Sequence, residues 1–203
     1  MSLTLPPGDF KAYLFDCDGT VADSMPPHYI AWKRALDEQG ATFTEEQFYG
    51  WGGLPAEVVI ERLNAEQGLK MVAALVAQRK EEFYYESLPT LKAVPEVLEH
   101  VLEAHGRIPI AIVSGSTRES VVASLTALGL LDCFDALVCA GEYTHGKPHP
   151  EPFLKAAGLV GVAPQDCLVF EDAEPGIEAA KAAGMAWVRV PMPWERTPTV
   201  DKF

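Results

Sequence analysis

The chain has 203 residues, enough for one large domain or a domain carrying an insert, and long enough to bury a core. Apolar residues make up 48% and charged residues 22%, a balance that excludes a disordered chain. Sixteen Lys and Arg stand against twenty-nine Asp and Glu, a net charge of −13, which argues against nucleic-acid backbones and anionic membrane surfaces as partners. No stretch approaches the ~18 uninterrupted apolar residues of a membrane span. The opening MSLTLPPGDFK has no cation before Lys11 and no long apolar run, so no secretory signal is expected. Cys17, Cys133, Cys139 and Cys167 form no CxxC pair, and each lies in or beside an apolar run. Buried, reduced thiols, no structural zinc and a cytosolic location are the expectation.

Residues 11–15 (KAYLF) form a short apolar run bounded by the turn-like DCDGT and read as a buried strand. From Ser24 to about Leu88 the spacing turns helical, with segments 27–38, 44–49, 55–66 and 70–87 and Gly40, Gly50 and Gly68 as stops. In the first of these, Ile30, Ala31, Ala35 and Leu36 make an apolar stripe with Trp32 beside it. Pro89 and Pro95 punctuate the return. Helix 95–104, strand 108–113, helix 117–128 ended by Gly129, and strand 135–140 then alternate. Helix 150–157 before Gly158, strand 167–170, helix 175–183 stopped by Gly184, and strand 186–190 complete the series before a Pro-rich tail. This alternation predicts an α/β fold: a Rossmann-like parallel sheet with helices on both faces. The helical block interrupts it after the first strand, so residues 1–23 and 89–203 form the sheet domain and 24–88 the insert.

In such sheets ligands bind beyond the carboxyl ends of the strands. The first strand is followed by Asp16-Cys17-Asp18-Gly19-Thr20 and the second by Ser114-Gly115-Ser116. The third is followed, past a loop, by Gly146-Lys147-Pro148, and the fourth by Glu171-Asp172. Asp16, Asp18, Glu171 and Asp172 repel one another unless a cation joins them, and an oxygen-rich set suits Mg²⁺ with a substrate phosphate. Solvated acidic loop tips explain any one of these ends, but not four on one edge. Ser116-x-x-Glu119 looks like a capping box opening helix 117–128, which leaves Ser114 as the better anion ligand. Lys147, held between Gly146 and Pro148, suits a phosphate as a point charge. Two aspartates at i and i+2 in extended chain share one face: an ionised one attacks phosphorus, and one held protonated serves the leaving alcohol. Cys17 between them points into apolar packing.

DxDGT, the strand-ending serine, GKPHPEPF and FEDAEPGIEAAKAAGM together resemble the haloacid dehalogenase-like hydrolase superfamily over nearly the whole chain. The pattern looks most like the branch holding β-phosphoglucomutase and the small sugar-phosphate phosphatases, which carry a helical cap after the first strand. The resemblance implies Asp16 as nucleophile and Mg²⁺ ligand, and Asp18 as general acid/base with its carbonyl on the metal. It implies Ser114, Gly115 and Lys147 around the phosphoryl group, Thr20 buttressing the loop and the phosphate, Asp172 on Mg²⁺, and Glu171 there directly or through water. The block 24–88 becomes a cap with connections near 20–25 and 88–93, and substrate specificity is expected in it. His28 lies ten residues after Asp18, as does a cap histidine of the mutase-like branch; it contacts Asp18 or substrate on closure, or is a surface or hinge-packing histidine. Trp51, in Gly50-Trp51-Gly52-Gly53, stacks on a sugar or is a buried hinge aromatic. Arg79 or Lys80 reaches the far end of the substrate, or both lie on a solvated helical face.

The mutase-like enzymes carry a cap-loop arginine for a second phosphate. Here the matching stretch is Gly53-Leu54-Pro55-Ala56-Glu57, with Ala56 where that arginine would stand and Arg62 further on. The expected function is therefore a Mg²⁺-dependent phosphatase of a small phosphorylated metabolite, a sugar phosphate, working through an aspartyl-phosphate as a cytoplasmic monomer. The alternatives are a β-phosphoglucomutase and a non-catalytic, receiver-like phosphate sensor.

Overall fold

The computed structural model describes residues 3–52 and 54–196; Gly53 and the tail from residue 197 lie outside the described residues. Five strands, β1 (Ala12–Phe15), β2 (Ile110–Val113), β3 (Ala136–Val138), β4 (Cys167–Glu171) and β5 (Ala186–Arg189), form one sheet in the order β3-β2-β1-β4-β5. Every pairing is parallel, with Phe15 opposite Ile112 on one side and Phe170 on the other. β2 and β4 are buried at every position, as strands covered on both faces must be. The chain runs β1-β2-β3 in one direction and returns to lay β4 on the other side of β1. The carboxyl ends of β1 and β4 thus flank the point where the strand order reverses, the usual place for a ligand.

Successive residues of β1 serve opposite faces. Ala12 and Leu14 pack with Phe153, Ala156 and Ala157 of α7 (Glu151–Val160) and Ala179 and Ala180 of α8 (Glu174–Ala182). Tyr13, Phe15 and Cys17 face Val97 and Val101 of α5 (Pro95–Ala104) and Val121 and Leu125 of α6 (Arg118–Ala127). Helices therefore cover both faces, as the alternation predicts. α7 runs beyond the expected stop at Gly158: that glycine stays helical, and the chain turns left-handed only at Gly161, φ 71°. The thiols of Cys17, Cys139 and Cys167 are buried, whereas Cys133 is half-buried, which corrects the expectation of four buried cysteines.

Between β1 and α5 lie α1 (Met25–Asp37), α2 (Glu45–Gly50), α3 (Ala56–Gln67) and α4 (Ala73–Ser87). α1 starts two residues earlier than expected, because Pro26 and Pro27 fall in its first turn, where a missing N–H costs nothing. These helices share their own apolar cluster, including Leu36, Phe43, Phe48, Ile60, Leu63, Phe83 and Tyr84. The two connecting segments run side by side: Asp23 N–H donates to Lys92 O (2.8 Å) and Val94 N–H to Val21 O (3.0 Å). Tyr84 Oη lies 2.8 Å from Ser124 Oγ, and the Ser120 hydroxyl donates to Glu81 at 3.3 Å, so α4 leans on α6. The last described residues tie the insert from the other side. Trp194 packs edge-on against Tyr49, and Arg196 donates to Asp23 and to Gly19 O, both at 2.7 Å. Among the described residues, no helix is long and apolar enough to cross a membrane.

Candidate active site

Asp16 follows directly on β1 and is 7% exposed. Its Oδ1 accepts from Lys147 Nζ at 2.6 Å. The same ammonium donates to Glu171 Oε1 (2.7 Å) and Val113 O (2.9 Å), so all three of its protons are placed. Lys147 arrives from the loop between β3 and α7, and Glu171 is the last residue of β4. Burial works against the lysine's charge, but Asp16 and Glu171 outweigh it and raise its pKa. Glu171, 1% exposed, also accepts the Ala173 N–H at 2.8 Å.

Two glycines make room for these acids. A Cβ on Gly176 would sit 1.7 Å from Glu171 Oε1, and one on Gly19, at φ +90°, would sit 2.2 Å from Asp172 Oδ2. Thr20 donates to Asp172 Oδ1 at 3.2 Å, so its hydroxyl braces a carboxylate. Oxygens of Asp16, Glu171 and Asp172 lie within 4.8 Å of one another, all buried. Burial, then the charge of Glu171, push the Asp172 carboxyl up to about 7. Asp16 is raised well above its ordinary range, first by burial, with Lys147 opposing and the other three acids adding to the rise. A buried all-oxygen set with more negative charge than its one lysine balances fits a hard divalent cation.

Asp18 overturns an expectation. Its carboxylate accepts from Ser24 Oγ (2.7 Å), Ser116 Oγ (2.7 Å) and His28 Nε2 (3.1 Å). Burial pushes its pKa up, but His28 and the three hydrogen bonds outweigh burial and hold it below the usual carboxylate range. Asp18 is therefore ionised in this arrangement, not held protonated. The capping box at Ser116 is corrected too. Thr117 caps α6, accepting the Ser120 N–H, which leaves the Ser116 hydroxyl for Asp18. Cys17 points away into the α5–α6 side of the core, and burial raises its thiol pKa.

Ser114 follows directly on β2 and is almost fully buried, its Oγ accepting the Ser116 N–H at 3.0 Å. Gly115 is exposed, with open space where a Cβ would point, so nothing steric demands glycine there. His28 is buried, not on the surface. Its ring stacks on Tyr84 with centroids 3.8 Å apart, and its Nδ1 has no partner. Burial, then Lys80, lower the His28 pKa. A neutral ring that gives its Nε2 proton to ionised Asp18 presents Nδ1 as a bare acceptor.

Lys80 is 8% exposed, which corrects the solvated-face reading for that residue: it pairs with Glu81 at 2.7 Å and faces the Trp32 and Tyr84 rings. Arg79 does lie on the exposed face, bonded to Glu38 and Glu82. Trp51 is half-buried against Phe43, in the apolar cluster of the insert. Ser24 was not visible as a site residue. It precedes two prolines, and only the fold shows its hydroxyl turned to Asp18 instead of capping α1.

The sequence profile of the haloacid dehalogenase-like hydrolases matches residues 10–184. The chain belongs to that family. It is 36% identical over 185 residues to fructose-1-phosphate phosphatase YqaB of Escherichia coli, covering 89% of this chain and 96% of that one. It is 30% identical over 179 residues to the phosphorylated carbohydrates phosphatase of Thermotoga maritima, covering 86% and 82%. Among solved structures, the β-phosphoglucomutase of Clostridium difficile superposes with a TM-score of 0.77 at 26% identity, covering 88% of this chain and 83% of that one. The hydrolase thus resembles two phosphatases in sequence and a mutase in fold, and the family match says nothing by itself about which substrate it takes.

Proposed function

We propose that this hydrolase is a Mg²⁺-dependent phosphatase that cleaves a small phosphorylated sugar through a phosphoenzyme on Asp16. The observation that carries the reading is the buried Asp16 carboxylate, 2.6 Å from Lys147, beside Glu171 and Asp172 and two residues before Asp18. The phosphatases among its relatives support the same chemistry. The division of labour follows the chain: 1–23 and 89–203 hold the reacting centre, and 24–88 is the cap that selects substrate.

Asp16 Oδ attacks phosphorus, the ester P–O bond breaks, and the leaving alkoxide takes a proton from Asp18. In the second half Asp18 takes a proton from water, the hydroxide attacks the acyl phosphate, and inorganic phosphate leaves with Asp16 restored. Asp18 gains its proton when a phosphate dianion comes beside it, since a like charge raises a carboxyl pKa. Lys147, Ser114 and the Gly115 backbone hold the phosphoryl oxygens. Asp16, Glu171, Asp172 and the Asp18 carbonyl would hold Mg²⁺, which supplies positive charge against the phosphate and the crowded carboxylates. His28 Nδ1 and Lys80 are the cap groups for substrate hydroxyls. Trp51 is the less favoured sugar platform, because it packs against Phe43.

Hydrolysis is favoured over mutase chemistry. Ala56 opens α3 and packs on the apolar cluster of the insert, offering no cation to a second phosphate. Arg62 lies over the Trp51 ring at 5.5 Å. Lys80 is the observation in favour of the mutase, as a buried cap cation whose charge acts on His28. The test is phosphate release from hexose 1- and 6-phosphates, fructose 1-phosphate, 6-phosphogluconate and phosphoglycolate, with and without Mg²⁺, and with Asp16→Asn as control. Metal-dependent release by wild type alone supports the proposal. Conversion of β-glucose 1-phosphate to glucose 6-phosphate, without net release, supports the mutase. Turnover by Asp16→Asn overturns the nucleophile.

A further inference from the structure

The loop between β3 and α7 carries Lys147 inward, but its two histidines face outward and play no part in the site described above. His145 and His149 stand two residues on either side of Lys147, and both rings turn to Glu151, the first residue of α7. His145 Nδ1 lies 3.0 Å from Glu151 Oε2, and His149 Nδ1 lies 4.0 Å from the same oxygen. The two rings have centroids 4.7 Å apart at an interplanar angle of 36°, and one ligand atom from each of the three residues falls within 4.8 Å of the others.

We propose that His145, His149 and Glu151 form a second cation site, for a borderline transition metal of the Zn²⁺, Ni²⁺ or Co²⁺ class. Two imidazole nitrogens and one carboxylate oxygen are the donor set of such ions and not of Mg²⁺. With bonds of about 2.0–2.2 Å, tetrahedral ligand atoms sit roughly 3.4 Å apart, so the 3.0 and 4.0 Å separations need only small side-chain rotations. In the metal-free loop His149 Nδ1 accepts the Glu151 N–H at 3.2 Å and His145 Nδ1 donates to Glu151 Oε2 at 3.0 Å, so a bound ion takes the place of these two hydrogen bonds and of the His145 Nδ1 proton. The Glu151 carboxylate, which both rings face, is fixed by the N–H groups of Thr144 (2.7 Å) and His145 (3.0 Å). The side chains of His145 and His149 are 63% and 50% exposed, so an ion enters without unfolding the loop and keeps room for water. A bound ion bridges residue 145 to residue 151 and closes the segment that carries Lys147. The ion therefore stiffens the loop on which the lysine's position depends.

The experiment titrates Zn²⁺ into the whole protein, held at saturating Mg²⁺ so that the acidic set is occupied, and compares wild type with His145→Ala and His149→Ala by calorimetry. Co²⁺ visible absorption is the second readout, since imidazole ligation gives bands distinct from an all-oxygen shell. Wild type should bind one ion more than either variant, or bind it at least tenfold more tightly, with the imidazole-type Co²⁺ bands lost in both variants. Matching isotherms and spectra for all three proteins, each with an unchanged melting temperature before metal is added, would overturn the site. Exposed alanines in this loop leave the core intact, so failure to fold does not mask the result.

Discussion

Removing the charge of Asp172 should stabilise the metal-free protein near neutral pH, and this follows from the energetics of the acidic set. Asp172 is 3% exposed, and burial followed by the charge of Glu171 raises its carboxyl to about 7, against about 3.9 in an unfolded chain. Between about pH 4 and 7 the native state keeps a proton that the unfolded chain has lost, so stability falls as pH rises through that window. About three units at about 1.4 kcal/mol each give a loss of up to about 4 kcal/mol. Asp16 is shifted in the same direction and adds to the fall. Asp18 is shifted down, so its contribution is present above about pH 4 and is lost only in more acidic solution, outside the window. His28, lowered by burial, acts oppositely and favours the native state as pH approaches about 6.5. Comparing wild type with Asp172→Asn cancels the His28 contribution, because both proteins keep that ring. The assay is thermal unfolding in chelator between about pH 5 and 8. Wild type should lose stability with rising pH, Asp172→Asn should lose much less, and the variant should melt roughly 10 °C higher at the alkaline end. Saturating Mg²⁺ at about 100 times its Kd should return about 2.7 kcal/mol to wild type, more fully at high pH, and little to the variant. A wild-type curve that is flat or rising, in parallel with the variant, would refute the reasoning.

Three further outcomes follow from single contacts. Gly176→Ala places a Cβ 1.7 Å from Glu171 Oε1, and the displaced carboxylate leaves both Lys147 and the Ala173 N–H; denaturant unfolding should show a loss of about 3–5 kcal/mol, and an unchanged midpoint counts against the cradle. Ser116→Ala removes a hydrogen bond that favours ionised Asp18, so the Asp18 pKa rises and the corresponding limb of the kcat/KM profile moves to higher pH; a limb that stays put argues that Asp18 does not govern it. Arg196→Ala loses the bonds to Asp23, Gly19 O and Pro191 O, where the tail crosses the connection into the insert, and should cost about 1.5–3 kcal/mol in chemical unfolding. Equal stability with and without the guanidinium would show that this strap carries no weight.

The parallel sheet was legible because buried strands such as CLVF and IAIV are apolar at every position, and because helical spacing separates them. The acids were legible because strand ends of a parallel sheet converge, so Asp16, Glu171 and Asp172 meet although 155 residues separate the first two. Local chemistry misled where two serines competed for one job. Ser116 has capping-box spacing, but Thr117 takes the cap, and the freed hydroxyl reaches a carboxylate 98 positions away. Ser24 carried no signal, since nothing in its neighbours indicates that the chain will fold its hydroxyl back on Asp18. The charge state of Asp18 was not legible either. It depends on donors from the β2–α6 turn and from the start of α1, whose approach is a property of the assembled fold. Lys80 looked like any helix-surface lysine, and only the assembled fold shows it buried beside Glu81 and the Trp32 and Tyr84 rings.

The geometry of Lys147 ties metal and substrate together. Its three protons are committed to Asp16, Glu171 and Val113 O, so it has none left for a phosphate. To hold a phosphoryl oxygen it must release at least one of these acceptors, and releasing Asp16 or Glu171 alone leaves a buried carboxylate without a counter-charge. That release is inexpensive only when another cation balances the same carboxylates. Lys147 is then free to turn to the substrate, while the cation beside Asp16 favours its ionised form for attack. Phosphate and divalent metal should therefore bind with positive coupling, each tightening the other by the same factor. In a chain of net charge −13, whose overall field repels a phosphate dianion, this local exchange of partners is what makes the strand-end crevice an anion site at all.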